Sequence, residues 1–271
     1  MHEPDMDRQL LWRTELGNGD PARKLVCGYP LEDLAGGVPF TDTLHLVLRR
    51  ELPSPAESML LNACLTSIVD HGFRNTIAVG ARFIASANPD PIAATCAGLL
   101  GIGRHTAGAQ SFVVRMLARD DPERAVADVA EEIVGAFQRA GERLPGFGTK
   151  LHTVTGYDAR ARRLREIFDG SALSERRPHA LFHAVHRALE ASLGRAIVIN
   201  IDGEMGAVFA SLGYSPREVQ FLEIAAMLPS VIGHAAEEIR DGSPMRNVPR
   251  ESTRYVGHAR RPVLPAERAG A

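Results

Sequence analysis

Helical periodicity runs along almost the whole chain, and the alternating apolar–polar pattern of a half-buried strand is nearly absent. That feature restricts the fold to packed helices, because a stripe recurring at i, i+3, i+4 and i+7 is buried only by a helix. Thr41–Arg50 (TDTLHLVLRR) reads as a short helix opened by a Thr41 cap. The next starts at PSPAE, 53–57, with Ser54 as cap and Pro55 in the first turn. It runs through MLLNACLTSIVD and stops near His71-Gly72. Asn75–Ala87 and Pro91–Leu100 are rich in Ala, Gly, Ser and Thr, faces that allow close helix packing and often lie between subunits. Asp121–Ala140, opening at D-P-E, then Ala159–Asp169, Pro178–Leu193 and Gly203–Leu212 continue the pattern. Pro216–Met227 and a last apolar run to Glu238 complete it. IVINID at 197–202 is the one candidate strand, and a buried helix end explains it equally well. From Arg240 the chain is rich in Pro and Arg without periodicity, a tail that packs or frays. The class is all-α, with a loop at 141–158 dividing the chain into halves.

The 271 residues, 45% of them hydrophobic, suffice for one large domain or two lobes. A net charge of -2 and a pI near 6.6 give no basic excess for a nucleic-acid partner. Cys27, Cys64 and Cys96 are odd in number and far apart, which argues against a disulfide framework or zinc cage and fits a reducing compartment. The opening MHEPDMDRQLLWRTEL is acidic and polar, unlike a signal peptide, and no apolar run reaches about 18 residues free of charge. The expectation is a cytoplasmic protein with no membrane partner.

Four places could carry chemistry. Asp70-His71-Gly72 sits at a helix end, where capping alone explains it equally well. GRHTAGAQ at 103–110 opens a helix with small residues, so His105 and backbone N–H groups could face an anion or a carbonyl; a packed junction explains it too. PGFGTKLH at 145–152 is a glycine-rich turn. A flat ligand can lie on its bare peptide groups, and Lys150 could meet a phosphate. Finally, Asp202 in INIDG ends a strongly apolar run, where acids rarely sit without a partner or a role. His179, His183 and His186 fall at i, i+4 and i+7 on one helix. With Arg176, Arg177 and Arg187 around them and no acid nearby in sequence, they read as a solvated face, and no metal is expected.

Taken in order, these pieces resemble the citrate synthase superfamily, nearest to the short citryl-CoA lyases and the equivalent module of ATP-citrate lyase. CGYPLEDLAGGVPFTDTLHLVLRRELPSPAE resembles the family's opening R-G-Y-x-(I/L)-E-D-L and G-x-(L/I)-P-(S/T) elements. VDHG at 69–72, CAGLLGIG at 96–103, LPGFG at 144–148, DARARRL at 158–164, INIDG at 199–203, IGHAAEE at 232–238 and PMRNVP at 244–249 follow in the family's order. The match spans roughly Cys27 to Gly257. The resemblance implies an all-helical homodimer with a large domain (1–106 and 216–271), a small domain (107–215) and the active site between them. It implies a coenzyme A thioester as substrate, its adenine received by Pro145, Gly146, Phe147 and Gly148 with Lys150 beside them, and a small oxo acid as the other partner. Asp202 corresponds to the catalytic aspartate, His71 to the oxo-acid-binding histidine and Arg160 to a carboxylate-binding arginine. Arg250 or Arg246 corresponds to the tail arginine.

The departures are specific. The family's catalytic histidine after PG(Y/F)G is Thr149 here; its H-G-G-A histidine is Thr106, with His105 one position earlier; its A-R-T arginine is Met227. DARA also lacks the family's proline. A threonine donates a hydrogen bond more weakly than a histidine and does not titrate near pH 7. Loss of an arginine argues for a substrate with one carboxylate fewer, or a more apolar one. Three readings follow: a divergent carbon–carbon lyase or condensing enzyme, a non-catalytic or regulatory CoA-binding homologue, or an acyl-CoA hydrolase with Thr149 or Thr106 holding a water.

Overall fold

A computed structural model of the chain describes residues 13–20, 22–103, 106, 108–148 and 158–261. A small antiparallel hairpin, β1 (Leu25–Val26) and β2 (Tyr29–Pro30), pairs Leu25 with Pro30. The rest of the regular structure is helical: α1 (Leu31–Leu34), α2 (Phe40–Arg49), α3 (Pro55–Ser67), α4 (Thr76–Ala87), α5 (Pro91–Leu100), α6 (Ala109–Leu117), α7 (Val126–Ala140), α8 (Ala159–Asp169), α9 (Arg177–Leu193), α10 (Ile201–Ser211) and α11 (Pro216–Asp241). A 3-10 turn, Arg250–Ser252, lies in the tail.

Local chemistry sets most boundaries. Ser54 and Ser215 each form a full capping box with a glutamate three residues on, Glu57 and Glu218. Asn75, Asp90 and Asn200 cap α4, α5 and α10 through their side chains. Four expectations are corrected. Helix α2 starts at Phe40 with Pro39 as its cap residue, so Thr41 lies inside it and caps nothing. Helix α3 ends at Ser67, leaving Asp70-His71 in a loop where Gly72 takes a left-handed φ of 81°. Residues 121–125 form a turn before α7, held by the Arg177 guanidinium, which grips Asp120 at 2.7 and 2.9 Å. And α11 runs unbroken through Pro229. That proline lies on the exposed side, where water can satisfy the carbonyl its missing N–H frees.

Two hydrophobic cores meet at α10. The first gathers α3, α4, α5, α8 and α11, with Leu60, Ile77, Leu164, Phe168, Leu222 and Val231 among its members. The second lies wholly between Val113 and Ala207, with Val134, Phe137, Leu181 and Phe182 near its centre. Helix α10 serves both: Ile201, Met205, Val208 and Phe209 pack into the first and Ala207 into the second. It is apolar nearly all round, as a helix buried on every side must be. Among the described residues, α11 is long and apolar enough to cross a membrane by length and composition. Here it is the core helix on which α3 to α6 pack.

The small-residue helices are close-packed. A Cβ on Gly98 of α5 would stand 2.6 Å from Val231 of α11 and 3.1 Å from Ala81 of α4. Gly98→Leu is therefore expected to destabilise the fold by about 2–3 kcal/mol through overpacking. Urea denaturation checks this; an unchanged midpoint would mean that α4, α5 and α11 do not meet at this point.

Candidate active site

The loop Leu144–Gly148 is pinned to the segment that enters α10. Phe147 and Ile199 form an antiparallel bridge: the Gly148 N–H donates to the Val198 carbonyl at 2.6 Å and the Asn200 N–H to the Gly146 carbonyl at 3.2 Å. IVINID is thus neither a regular strand nor a helix end, but a bridge running into one. The Asn200 side chain does double duty. Its oxygen accepts from the Gly203 N–H at 3.0 Å, capping α10, and its amide donates to the Gly148 carbonyl at 2.9 Å. Gly146 has φ 90°, and a Cβ there would lie 2.7 Å from the Gly203 Cα; one on Gly203 would lie 2.3 Å from the Gly146 carbonyl oxygen. Bare backbone touches bare backbone, which explains why both positions are glycine. Phe147 turns inward and stacks on Phe182 at 4.9 Å. Gly148 has φ 84°, and a Cβ there would meet nothing within 4 Å among the described residues. Among the described residues, no backbone hydrogen bond uses the N–H or carbonyl of Phe147.

Asp202 therefore stands in the first turn of α10, partly buried, directly beside this loop. The Gln110 amide of α6 donates to its Oδ1 at 2.9 Å. Burial pushes its carboxyl up; the positive charges of His71 and Arg160 oppose this, and Asp158 adds to it. The fold thus brings Asp202, His71 and Arg160, from three distant parts of the sequence, within electrostatic reach of one another. Arg160 is held at the start of α8 by Asp158, through Nε at 3.2 Å and Nη2 at 2.8 Å.

His71 lines a small cleft with Ile68, Val69, Asn75, Ile77, Met227 and Ser230. Its loop is anchored by Asp70, which accepts from the Ser230 hydroxyl at 2.7 Å and lies 3.3 Å from His234 Nε2. Met227 gives this cleft an apolar wall. The Thr106 hydroxyl donates to the Gly101 carbonyl at 2.6 Å and accepts from the Gly103 N–H at 2.9 Å, a stitch at the end of α5. Arg246 forks onto buried Glu238 at 2.5 and 3.0 Å, and with Arg82 at 3.1 Å from the same carboxylate it straps the tail to α4 and α11. Arg250 opens the exposed 3-10 turn. His105, Thr149 and Lys150 lie outside the described residues.

Two acids were missed by sequence reasoning. Glu223 of α11 is 1% exposed, and its Oε1 has no hydrogen-bond partner among the described residues. Burial pushes its carboxyl up to about 7, the charge of Asp202 adds to this, and the Gly108 N–H works the other way. The signal was available: like Asp202, Glu223 interrupts an apolar run, FLEIAAML at 221–228. The second is Glu204, which overturns the solvated-face reading of the histidines. His179 and His183 are 4% and 6% exposed and both face this carboxylate. His186 is half-buried, 2.7 Å from the Ile197 carbonyl.

Residues 53–248 match the family model described as citrate synthase, C-terminal domain. No curated protein matches the chain. Among solved structures, citryl-CoA lyase from Hydrogenobacter thermophilus is 26% identical with a TM-score of 0.85, over 95% of this chain and 99% of that one. ATP citrate lyase from Methanothrix soehngenii, in complex with citrate and coenzyme A, is 20% identical with a TM-score of 0.78 over 96% of this chain, which spans 43% of that one. Citrate synthase from Thermoplasma acidophilum, in a ternary complex with carboxymethyl coenzyme A and oxaloacetate, is 22% identical with a TM-score of 0.63, over 84% of this chain and 59% of that one.

The carboxyl of Glu223 makes stability pH-dependent in a defined direction. Its ordinary value is 4.5 and its folded value about 7, so between these the folded state holds a proton that the unfolded state has lost. Stability then falls as pH rises through that window. Glu223→Gln, which does not titrate, is expected to gain about 2–3 kcal/mol on wild type between about pH 5 and about pH 8. Urea midpoints at both pH values measure this, and parallel curves for the two proteins would mean an ordinary carboxyl.

Proposed function

This chain belongs to the citrate synthase family, and from that premise we propose that it is a divergent carbon–carbon lyase or condensing enzyme acting on a coenzyme A thioester. The observation that carries the reading is Asp202 in the first turn of α10, with His71 and Arg160 in electrostatic reach and the glycine loop packed against the same turn. The likeness to a citryl-CoA lyase over nearly the full length of both chains supports it.

In cleavage, the β-hydroxyl of a hydroxyacyl thioester passes its proton to the Asp202 carboxylate and the Cα–Cβ bond breaks. Its electron pair passes into the thioester enolate, leaving an oxo acid. Asp202, whose carboxyl burial pushes upward, then returns a proton to Cα; in condensation its carboxylate removes that proton. His71 and Arg160 bind the oxo acid through its carbonyl and one carboxylate. The apolar wall at Met227 favours an oxo acid in which a hydrocarbon group replaces the second carboxylate. The N–H and carbonyl of Phe147, without a backbone partner among the described residues, offer an edge to an adenine, and no described residue lies within 4 Å of where a Gly148 side chain would stand.

One observation favours the non-catalytic, CoA-binding reading: the Thr106 hydroxyl spends its proton on the Gly101 carbonyl and is not presented to a ligand. Activity on a panel of acyl-CoA esters, with and without oxo acids, separates the two. Wild type is expected to be inactive on citryl-CoA and to turn over a less carboxylated thioester, and Asp202→Asn to lower that turnover about 10²–10⁴-fold. Coenzyme A binding by calorimetry is expected to weaken by at least about tenfold in Gly148→Asn, a residue that tolerates the left-handed φ of 84° and whose side chain would stand where no described residue lies within 4 Å. Gly146→Val is unsuited to this test, since it would collide with Gly203 and disturb Asp202 itself. Robust cleavage of citryl-CoA by wild type defeats the substrate assignment, and binding without turnover on any thioester favours the second reading.

The enzyme is further proposed to be a homodimer. Val79, Phe83 and Ile84 of α4, Ile92 and Leu100 of α5, and Phe221, Ile224 and Ile232 of α11 are exposed apolar residues on three helices packed together. Light scattering is expected to give about twice the 29.3 kDa chain mass; a well-folded monomer at micromolar concentration refutes it.

A further inference from the structure

A buried acid and two buried histidines meet between α9 and α10, and nothing in the proposed reaction uses them. His179 and His183 stand one turn apart on α9, and Glu204 of α10 is 0% exposed. Both imidazoles turn the same atom, Nε2, to this one carboxylate. His179 lies 2.6 Å from Oε1; His183 lies 3.4 Å from Oε1 and 3.3 Å from Oε2. The second contact is off the line of a hydrogen bond, so Oε2 has no hydrogen-bond partner among the described residues. One ligand atom from each of the three residues lies within 4.8 Å of the others. Phe168 stacks on His179 at 3.9 Å between ring centroids, and Phe182 meets His183 edge-on at 5.3 Å, so the rings are held in place by packing.

We propose that His179, His183 and Glu204 form a binding site for a divalent first-row transition metal, zinc foremost, that ties α9 to α10. Two imidazole nitrogens and one carboxylate suit zinc and its neighbours, whereas calcium and magnesium call for oxygen donors. The i, i+4 spacing presents two ligands from a single helix face, and the third comes from the helix packed across it. Metal–ligand bonds of about 2.0–2.2 Å put neighbouring ligand atoms about 3.0–3.5 Å apart. The His183–Glu204 separations already fall in that range. His179 and Glu204 must part by less than about 1 Å, exchanging a shared proton for the ion. A cation also gives Oε2 the partner it lacks. A carboxylate in a dry core is otherwise costly, and three apolar side chains would fill the same space without that cost. All three residues are closed to solvent, so the ion is structural and is taken up as the chain folds. Glu204 follows Asp202 by two residues in the same helical turn, so the ion fixes the turn that carries the proposed catalytic acid.

The test uses the full chain without an affinity tag, unfolded in a chelator and refolded with or without one equivalent of Zn(II). Metal retained after gel filtration is read by elemental mass spectrometry, and the thermal midpoint is recorded. About one zinc per chain is expected, with a midpoint at least about 5 °C above that of metal-free protein. Glu204→Gln and His183→Gln are expected to lose the ion, and His186→Gln, on the same face but bonded to a carbonyl, to keep it. Should the first two variants not fold, Co(II) reads the site in wild type directly, through its visible absorption. Wild type that refolds to one midpoint with no retained zinc and no cobalt absorption overturns the proposal. So does zinc retained equally by Glu204→Gln and His183→Gln, which would put the ion elsewhere.

Discussion

The contact between Gly146 and Gly203 is the constraint on which the site depends. With no Cβ on either side, the 144–148 loop approaches the first turn of α10 closely enough for the 147–199 bridge to form and for Asn200 to reach both the loop and its own helix. Asn200 caps α10, the capped turn fixes Asp202, and the loop is left with a backbone edge at Phe147 that no described residue uses. A side chain at either glycine would push the loop from the helix and undo all of these at once. The strained turn in the sequence is therefore a packing device first. Any part it has in holding a ligand follows from where the packing leaves it.

Four carboxyls lie in the interior faces of α10 and α11, and each is compensated differently. Asp202 has Gln110 and the nearby charges of His71 and Arg160. Glu238 has two guanidinium groups, from Arg82 and Arg246. Glu204 has two imidazoles, whose hydrogen bonds outweigh its burial and hold its carboxyl below the usual range. Glu223 has one backbone N–H and keeps its proton near neutrality instead. Burial raises the carboxyls of Asp202 and Glu223 alike, and the charges of His71 and Arg160 oppose it at Asp202.

How much of this was legible depended on the range of the signal. Pro91–Leu100 and Ala159–Asp169 were read to the residue, because their caps lie within a few positions of the helix they start. Helix α11 was read in two pieces, because sequence shows a proline but not which side of the helix faces water. The same blindness turned His179 and His183 into a solvated face. Arginines flank them in sequence, but the acid that buries them comes from another helix. The resemblance puts Thr106 where the family has a histidine that faces the ligand, and the fold engages its hydroxyl with a carbonyl five residues back.

By itself the sequence determined that this chain is a bundle of helices with given caps, that the PGFG loop is sharply turned and that Asp202 is an acid in apolar company. Those properties follow from side-chain period, φ preference and solvation, all written within a few residues. Tertiary structure alone decided that the loop turns in order to meet Gly203, that His71 and Arg160 come to Asp202, and that Glu223 and Glu204 lose their water. Each of these depends on atoms dozens of residues apart, and the cost of burying a charge is set by what the fold packs around it.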